Sequence, residues 1–98
     1  MGKVTYSTLS TMWSIVADDL ETCYECGYKA EDCHHIFEGP DKRWSEKYGL
    51  MIPMCHMCHM ELHNNQEMNL WYKQLGQSVF QEKHPDIIFN HIFRRNYL

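Results

Sequence analysis

At 98 residues and a formal charge of −4, the chain is predicted to form one small domain whose hydrophobic core alone is marginal. Acidic residues outnumber Lys and Arg by 13 to 9, which argues against binding a polyanion by overall attraction and leaves only a local cationic site for that task. No apolar run approaches the ~18 residues of a membrane helix and no apolar stretch marks a secretion signal, so thiols among the five cysteines are expected to serve as metal ligands rather than disulfides, in a reducing, cytoplasmic setting.

Residues 1–12 are rich in Ser and Thr with weak periodicity, and are expected to be a flexible lead-in. Trp13–Val16 is predicted as a short strand, followed by an acidic turn at Asp18, Asp19 and Glu21. Cys23-Tyr24-Glu25-Cys26-Gly27 reads as a metal knuckle, with Gly27 letting the backbone turn sharply. His34–Phe37 suits a strand, Gly39-Pro40-Asp41 a turn, Asp41–Lys47 a charged loop, and Leu50–Ile52 a second strand ended by Pro53. From Cys55 the pattern becomes helical, placing Cys55 and Cys58 at a helix N-terminus and His59 and His63 on one helix face. Asn64-Asn65 breaks that helix and caps the next, over Gln66–Lys83. After His84-Pro85-Asp86, with Pro85 at the first helical position, a last amphipathic helix carries Ile87, Ile88, Ile92 and Phe93.

The chemistry concentrates in the cysteines and histidines. Cys23, Cys26, Cys55 and Cys58 form two Cys-x2-Cys pairs, and four thiolates complete a tetrahedral structural zinc site. A shell of three cysteines and His59 is the alternative, but it would strand a cysteine. Cys33 is expected to be a small buried hydrophobe. With the zinc shell filled, His34, His59 and His63 are left for a second, open site, and three neutral imidazoles with vacant positions suit a catalytic metal. His35 points to the other side of its strand from His34, so it is free to serve as a general base. His56 and His84 are expected to be ordinary exposed residues. Lys42, Arg43 and Lys47 form one candidate cationic patch, and Arg94 with Arg95 another.

The order Cys-x2-Cys, His34-His35-Ile36, Cys-x2-Cys-His-x3-His resembles the HNH endonucleases, the His-Me finger family with a ββα-metal, treble-clef-like fold. The stretches His34–Gly39, Ser45–Leu50 and Ile92–Leu98 resemble small phage and prophage members in particular. The resemblance runs from about Trp13 to the C-terminus. It implies an α+β fold, a small zinc-stapled ββα-metal core with additional C-terminal helices, over a single domain at 13–98. It implies His34, His59 and His63 as ligands of a catalytic divalent ion (Mg²⁺, Mn²⁺, Ni²⁺ or Zn²⁺), His35 as the general base, and Cys23, Cys26, Cys55 and Cys58 as structural zinc ligands. The expected reaction is one-metal hydrolysis of DNA with low sequence specificity, leaving 5′-phosphate and 3′-hydroxyl ends, in the cytoplasm of a bacterial host. Lys42, Arg43 and Lys47 would grip flanking phosphates.

One position departs from the family pattern. The Asn that orients the base falls near Leu50 here, which cannot hydrogen-bond. A backbone carbonyl, Glu46 or Asp41 is left to orient His35. The competing expectation is a non-catalytic treble-clef module that binds nucleic acid or a phage packaging or recombination assembly, and the acidic charge favours it.

Overall fold

Between the two cysteine pairs the chain folds back on itself as a two-stranded antiparallel sheet. The computed structural model describes residues 12–98. In it, β1 (Asp32–His35) pairs with β2 (Met51–Met54), with His34 opposite Ile52 and His35 opposite Met51. A 3-10 turn (Gly39–Asp41) and helix α1 (Lys42–Tyr48) connect the strands. Three helices follow: α2 (His56–His63), α3 (Gln66–Lys83) and α4 (Phe89–Phe93). The result is a small α+β fold. No helix among the described residues is long and apolar enough to cross a membrane.

The period-2 alternation of the strands sorts their side chains between two clusters. Ile52 and Met54, on the face of His34, join the main core with Ile36, Phe37, Leu50, Leu62, Tyr72, Phe80, Phe89 and Phe93. Cys33 and Met51, on the face of His35, pack against Met12 and Leu20. The predicted lead-in thus lies outside the described residues except at its last position, where Met12 is buried. Cys33 fills the hydrophobic role expected of it, and burial pushes its thiol up to about 12.

Four local expectations need correction. Trp13–Val16 is not a strand, because the Ser14 hydroxyl accepts from the Val16 and Ala17 N–H groups and so turns the backbone. Trp13 instead lies over the end of α1, its indole N–H donating to the Glu46 carbonyl at 2.8 Å. The expected charged loop is α1 itself, ended by Gly49 in the left-handed region at φ 70°. A Cβ on Gly49 would meet the Trp13 ring at 3.0 Å. Trp44 and Tyr48, one turn apart, pack onto the core, and the fully buried Ser45 hydroxyl donates to Phe37 O and accepts from Phe37 N–H.

β2 also runs through Pro53 to Met54. Ile36 N–H donates to Leu50 O, so by antiparallel alternation residue 53 falls at a non-hydrogen-bonded position, where a missing N–H loses no ladder bond. The last helix starts at Phe89, with Ile88 as its N-cap. Pro85 therefore sits in the preceding turn rather than at the first helical position. The long helix matches its expected span, and the Asn65 side chain caps it by accepting from Met68 N–H at 3.0 Å. On that helix Gly76 makes room for the end of β1, since a Cβ there would meet Ile36 at 3.0 Å and Phe37 at 3.1 Å.

Candidate metal centres

Two groups of ligands flank the sheet. Cys23, Cys26, Cys55 and Cys58 offer four sulfurs within 4.8 Å of one another, as do the imidazoles of His34, His59 and His63 with their nitrogens. Both sets are the ones read from the sequence.

The cysteine cluster is built by two backbone devices. In the first pair, Cys23 N–H donates to Tyr28 O, Gly27 N–H donates to Cys23 O, and Gly27 takes φ 84°. Tyr24 N–H donates to Pro53 O, tying this knuckle to β2. In the second pair, Cys55 is the N-cap of α2 and its sulfur accepts from Cys58 N–H. The Cys26 and Cys55 sulfurs lie 3.6 Å apart, and two ligands at ~2.3 Å from a tetrahedral zinc would be separated by roughly 3.8 Å. All five cysteines are free thiols. Burial works to raise the Cys23 thiol, but the backbone N–H groups of Cys55, Cys26 and Glu25 lower it to about 7. Burial and the neighbouring sulfurs push Cys58 up. Crowded thiols of this kind resist ionising together unless a cation balances them, and that is the chemistry of a structural zinc site. The Tyr72 hydroxyl donates to Glu25, anchoring the knuckle to α3.

The histidine group draws on the sheet and on α2. His34 leaves β1 fully buried, and His59 and His63 stand one turn apart on the helix. His34 Nδ1 is 3.3 Å from His59 Nε2, which is 3.1 Å from His63 Nε2. Ligand nitrogens on one tetrahedral ion would be roughly 3.3–3.4 Å apart. Burial first, then the neighbouring imidazoles, lower His34 to about 3, so its ring is neutral and offers a lone pair. The donor set fits a divalent cation of borderline softness such as zinc.

Behind these nitrogens stand two carboxylates that the sequence reading gave no role. Asp32 Oδ2 accepts from His59 Nδ1 at 3.0 Å and from His56 Nδ1 at 3.2 Å. Burial works against its charge, but those two hydrogen bonds hold Asp32 below its usual value. Carboxylates placed this way fix the tautomer and orientation of a ligating histidine. Glu38 Oε2 approaches His34 Nε2 at 3.7 Å and His63 Nδ1 at 3.9 Å. Both Glu38 Oε2 and His34 Nε2 are buried and without a hydrogen-bond partner. The signal for Asp32 was its place two residues before His34, on the same face of the strand.

On the opposite face, His35 Nε2 is 2.9 Å from Glu46 Oε2 on α1. Glu46 is one of the substitutes the sequence left open for the missing Asn, whereas Leu50 is sealed in the core. Burial lowers His35 while the Glu46 contact works to raise it, and the net direction is down.

The outlying residues divide. Lys42, Arg43 and Lys47 are all exposed on α1, not on a loop. Arg43 and Lys47 lie against the Trp44 ring at 4.6 and 5.6 Å, and Lys42 is near enough to His35 to disfavour its protonation. His56 is exposed but engages Asp32, and His84 is half-buried against Phe80 and Tyr48, so neither is the plain surface residue expected. No known protein family, no curated protein and no solved structure matches this chain.

Proposed function

We propose that the chain is a metal-dependent DNA endonuclease of the HNH, ββα-metal type. The observation that carries this reading is the division of labour around β1. His34 joins two helix histidines on one face, and His35 meets a carboxylate on the other. The order of β1, β2 and α2 agrees with a ββα-metal core, and the cysteine cluster with a treble-clef zinc staple. A divalent ion held by His34, His59 and His63 would supply Lewis-acid stabilisation of the charge that grows on a phosphodiester during hydrolysis.

The remaining work belongs to the protein. With Nε2–H donated to Glu46, His35 keeps Nδ1 unprotonated, and that nitrogen accepts a proton from the attacking water. Burial favours the neutral ring that such a base needs. Asp32 holds the His59 imidazole from behind, at 3.0 Å. Hydrolysis of this type leaves 5′-phosphate and 3′-hydroxyl ends. A phage or prophage origin and a bacterial cytoplasmic setting follow from the same reading.

A plasmid-nicking assay with Mg²⁺, Mn²⁺, Ni²⁺ or Zn²⁺ tests the proposal. Wild type is expected to convert supercoiled DNA and His35→Ala to lose that activity. Equal cleavage by both proteins would refute the assignment of the base. The net charge of −4 favours a second reading, a non-catalytic zinc module that binds nucleic acid or a phage assembly. Metal analysis separates the two: the module predicts one zinc per chain and no divalent ion lost on removing the histidines.

A further inference from the structure

Nearly half of the basic side chains line a single cleft. A depression of about 580 Å³ lies between α1, α3 and the C-terminal segment, and Arg43, Lys73, Arg94 and Arg95 line it against the carboxylates Glu38 and Asp41. Four of the 9 Lys and Arg in an acidic chain therefore oppose two negative charges there. Elsewhere the acidic residues dominate, so this is the place where a polyanion finds local attraction.

The cleft has a defined relation to the histidine group. Glu38 belongs to both, since it lines the cleft and its Oε2 stands 3.7 Å from His34 Nε2. Lys73 is near enough for its charge to disfavour protonation of His34. Three of the four cations lie against aromatic rings. The Arg43 guanidinium lies 4.6 Å from the centre of the Trp44 ring, while Lys73 and Arg95 both lie against Tyr97, at 5.5 and 5.6 Å. Tyr97 is fixed in turn, because its N–H donates to the buried Gln77 at 2.8 Å and its carbonyl accepts from Gln74 at 2.9 Å. Arg94 is alone among the described non-glycine residues in having positive φ, 58°. That conformation is uncommon for a side chain of its size, and it ends α4 at the rim of the cleft.

The geometry points to this cleft as the track for the phosphodiester backbone of a nucleic-acid strand, gripped by Lys73, Arg94, Arg95 and Arg43 as it runs to the histidine group. The inference rests on the nuclease reading only for the direction of the strand. It assigns the grip to the C-terminal segment and α3, with Arg43 the one member shared with the patch Lys42, Arg43 and Lys47. At about 580 Å³ the cleft has room for a short stretch of one strand's backbone.

The test is equilibrium binding of a fluorescein-labelled single-stranded oligonucleotide to zinc-loaded full-length protein, on a His35→Ala background that leaves the probe uncut. Lys73→Gln with Arg95→Gln is expected to weaken binding about tenfold and to lower the slope of log affinity against log salt by ~1.4, two phosphate contacts' worth for a single strand. Lys42→Gln with Lys47→Gln, neither of which lines the cleft, is expected to change the slope little. Unchanged affinity and slope in the first pair would overturn the track while leaving the nuclease reading intact, as would a loss confined to the second pair. Loss in the first pair, together with a wild-type protein that cuts no plasmid, would support the track and sink the nuclease reading. No binding by the parent protein would overturn the track, and the plasmid assay would still decide the nuclease reading.

Discussion

The four cysteines and the three histidines meet the same strands but are built for opposite ends. The cysteine cluster ties together distant backbone: a knuckle at residues 23–27, held to β2 through Tyr24 and Pro53, and the first turn of α2. Its four thiols repel one another once ionised, and they would complete a tetrahedral shell with no vacancy. The histidine group offers three imidazole nitrogens, which would leave further positions on an ion free, and carboxylates stand behind the rings rather than among those nitrogens. Four thiols would close around a metal, whereas three imidazoles would leave positions free. The difference teaches that, in a chain this small, ligand number and charge can set two candidate metal sites apart even when both share one strand–helix unit.

The sharpest way to break the comparison is to open the cysteine site. Zinc binding by small domains contributes on the order of 10–16 kcal/mol at neutral pH, comparable to or above the ~5–15 kcal/mol total stability of ordinary domains. Cys58→Ser, or exhaustive chelation, is therefore expected to abolish the cooperative thermal transition seen by circular dichroism. A chelated protein that still melts cooperatively near the wild-type temperature would make the cluster dispensable to the fold. The next largest effect is expected on the other face of β1. His35→Ala should lower cleavage by about 10²–10⁴-fold, the usual contribution of a positioned general base. It should leave metal content and melting close to wild type, because the ring contacts Glu46 and not the ligand set.

How much of this was legible in the chain depends on whether the determinant is local. The two Cys-x2-Cys pairs and the His-x3-His pair follow from spacing, since each fits one turn of knuckle or helix, whereas His34 joins its partners only through the pairing of strand and helix. The long helix was equally legible, because Asn65 caps it and its apolar positions recur at helical spacing. Helix α1 was hidden by its composition: Lys42, Arg43, Glu46 and Lys47 look like loop residues, and the helix is revealed only by Trp44 and Tyr48 packing inward and by Gly49 ending it. Trp13–Val16 misled for a related reason, as its apolar pattern suits a strand while Ser14 takes the N–H groups a strand would need. Asp32 and Glu46 act on histidines far away in sequence or on another element. Contacts of that kind are products of the fold, and strand parity narrows them without identifying the partner.

Asp32→Asn sharpens the comparison from the histidine side. An outer carboxylate of a ligating histidine is usually worth 10- to 100-fold in metal affinity, or about 1.4–2.7 kcal/mol at ~1.4 kcal/mol per tenfold. Titration calorimetry should show that loss at the histidine site, with the cysteine-bound zinc unaffected. Equal weakening at both sites would mean that Asp32 supports the whole strand–helix unit and has no particular tie to His59.

Glu46→Gln is expected to have the smallest effect, and it tests whether Glu46 orients His35. The Glu46 carboxylate is about half exposed, with a relative accessibility of 51%, so water screens much of its charge. What remains is a hydrogen bond of 2.9 Å to His35 Nε2, and hydrogen bonds to charged groups exceed neutral ones by about 1 kcal/mol. Gln keeps an acceptor oxygen, so the substitution removes the charge and retains the geometry. At ~1.4 kcal/mol per tenfold, the turnover number should fall by roughly fivefold, with KM and metal content unchanged. Glu46→Ala should fall further, since it also frees the ring to rotate. If the two variants match wild type, the ring is oriented by its packing in the strand and Glu46 is a bystander. If Glu46→Gln is as damaging as His35→Ala, the carboxylate carries the proton itself, and the pair acts as one unit.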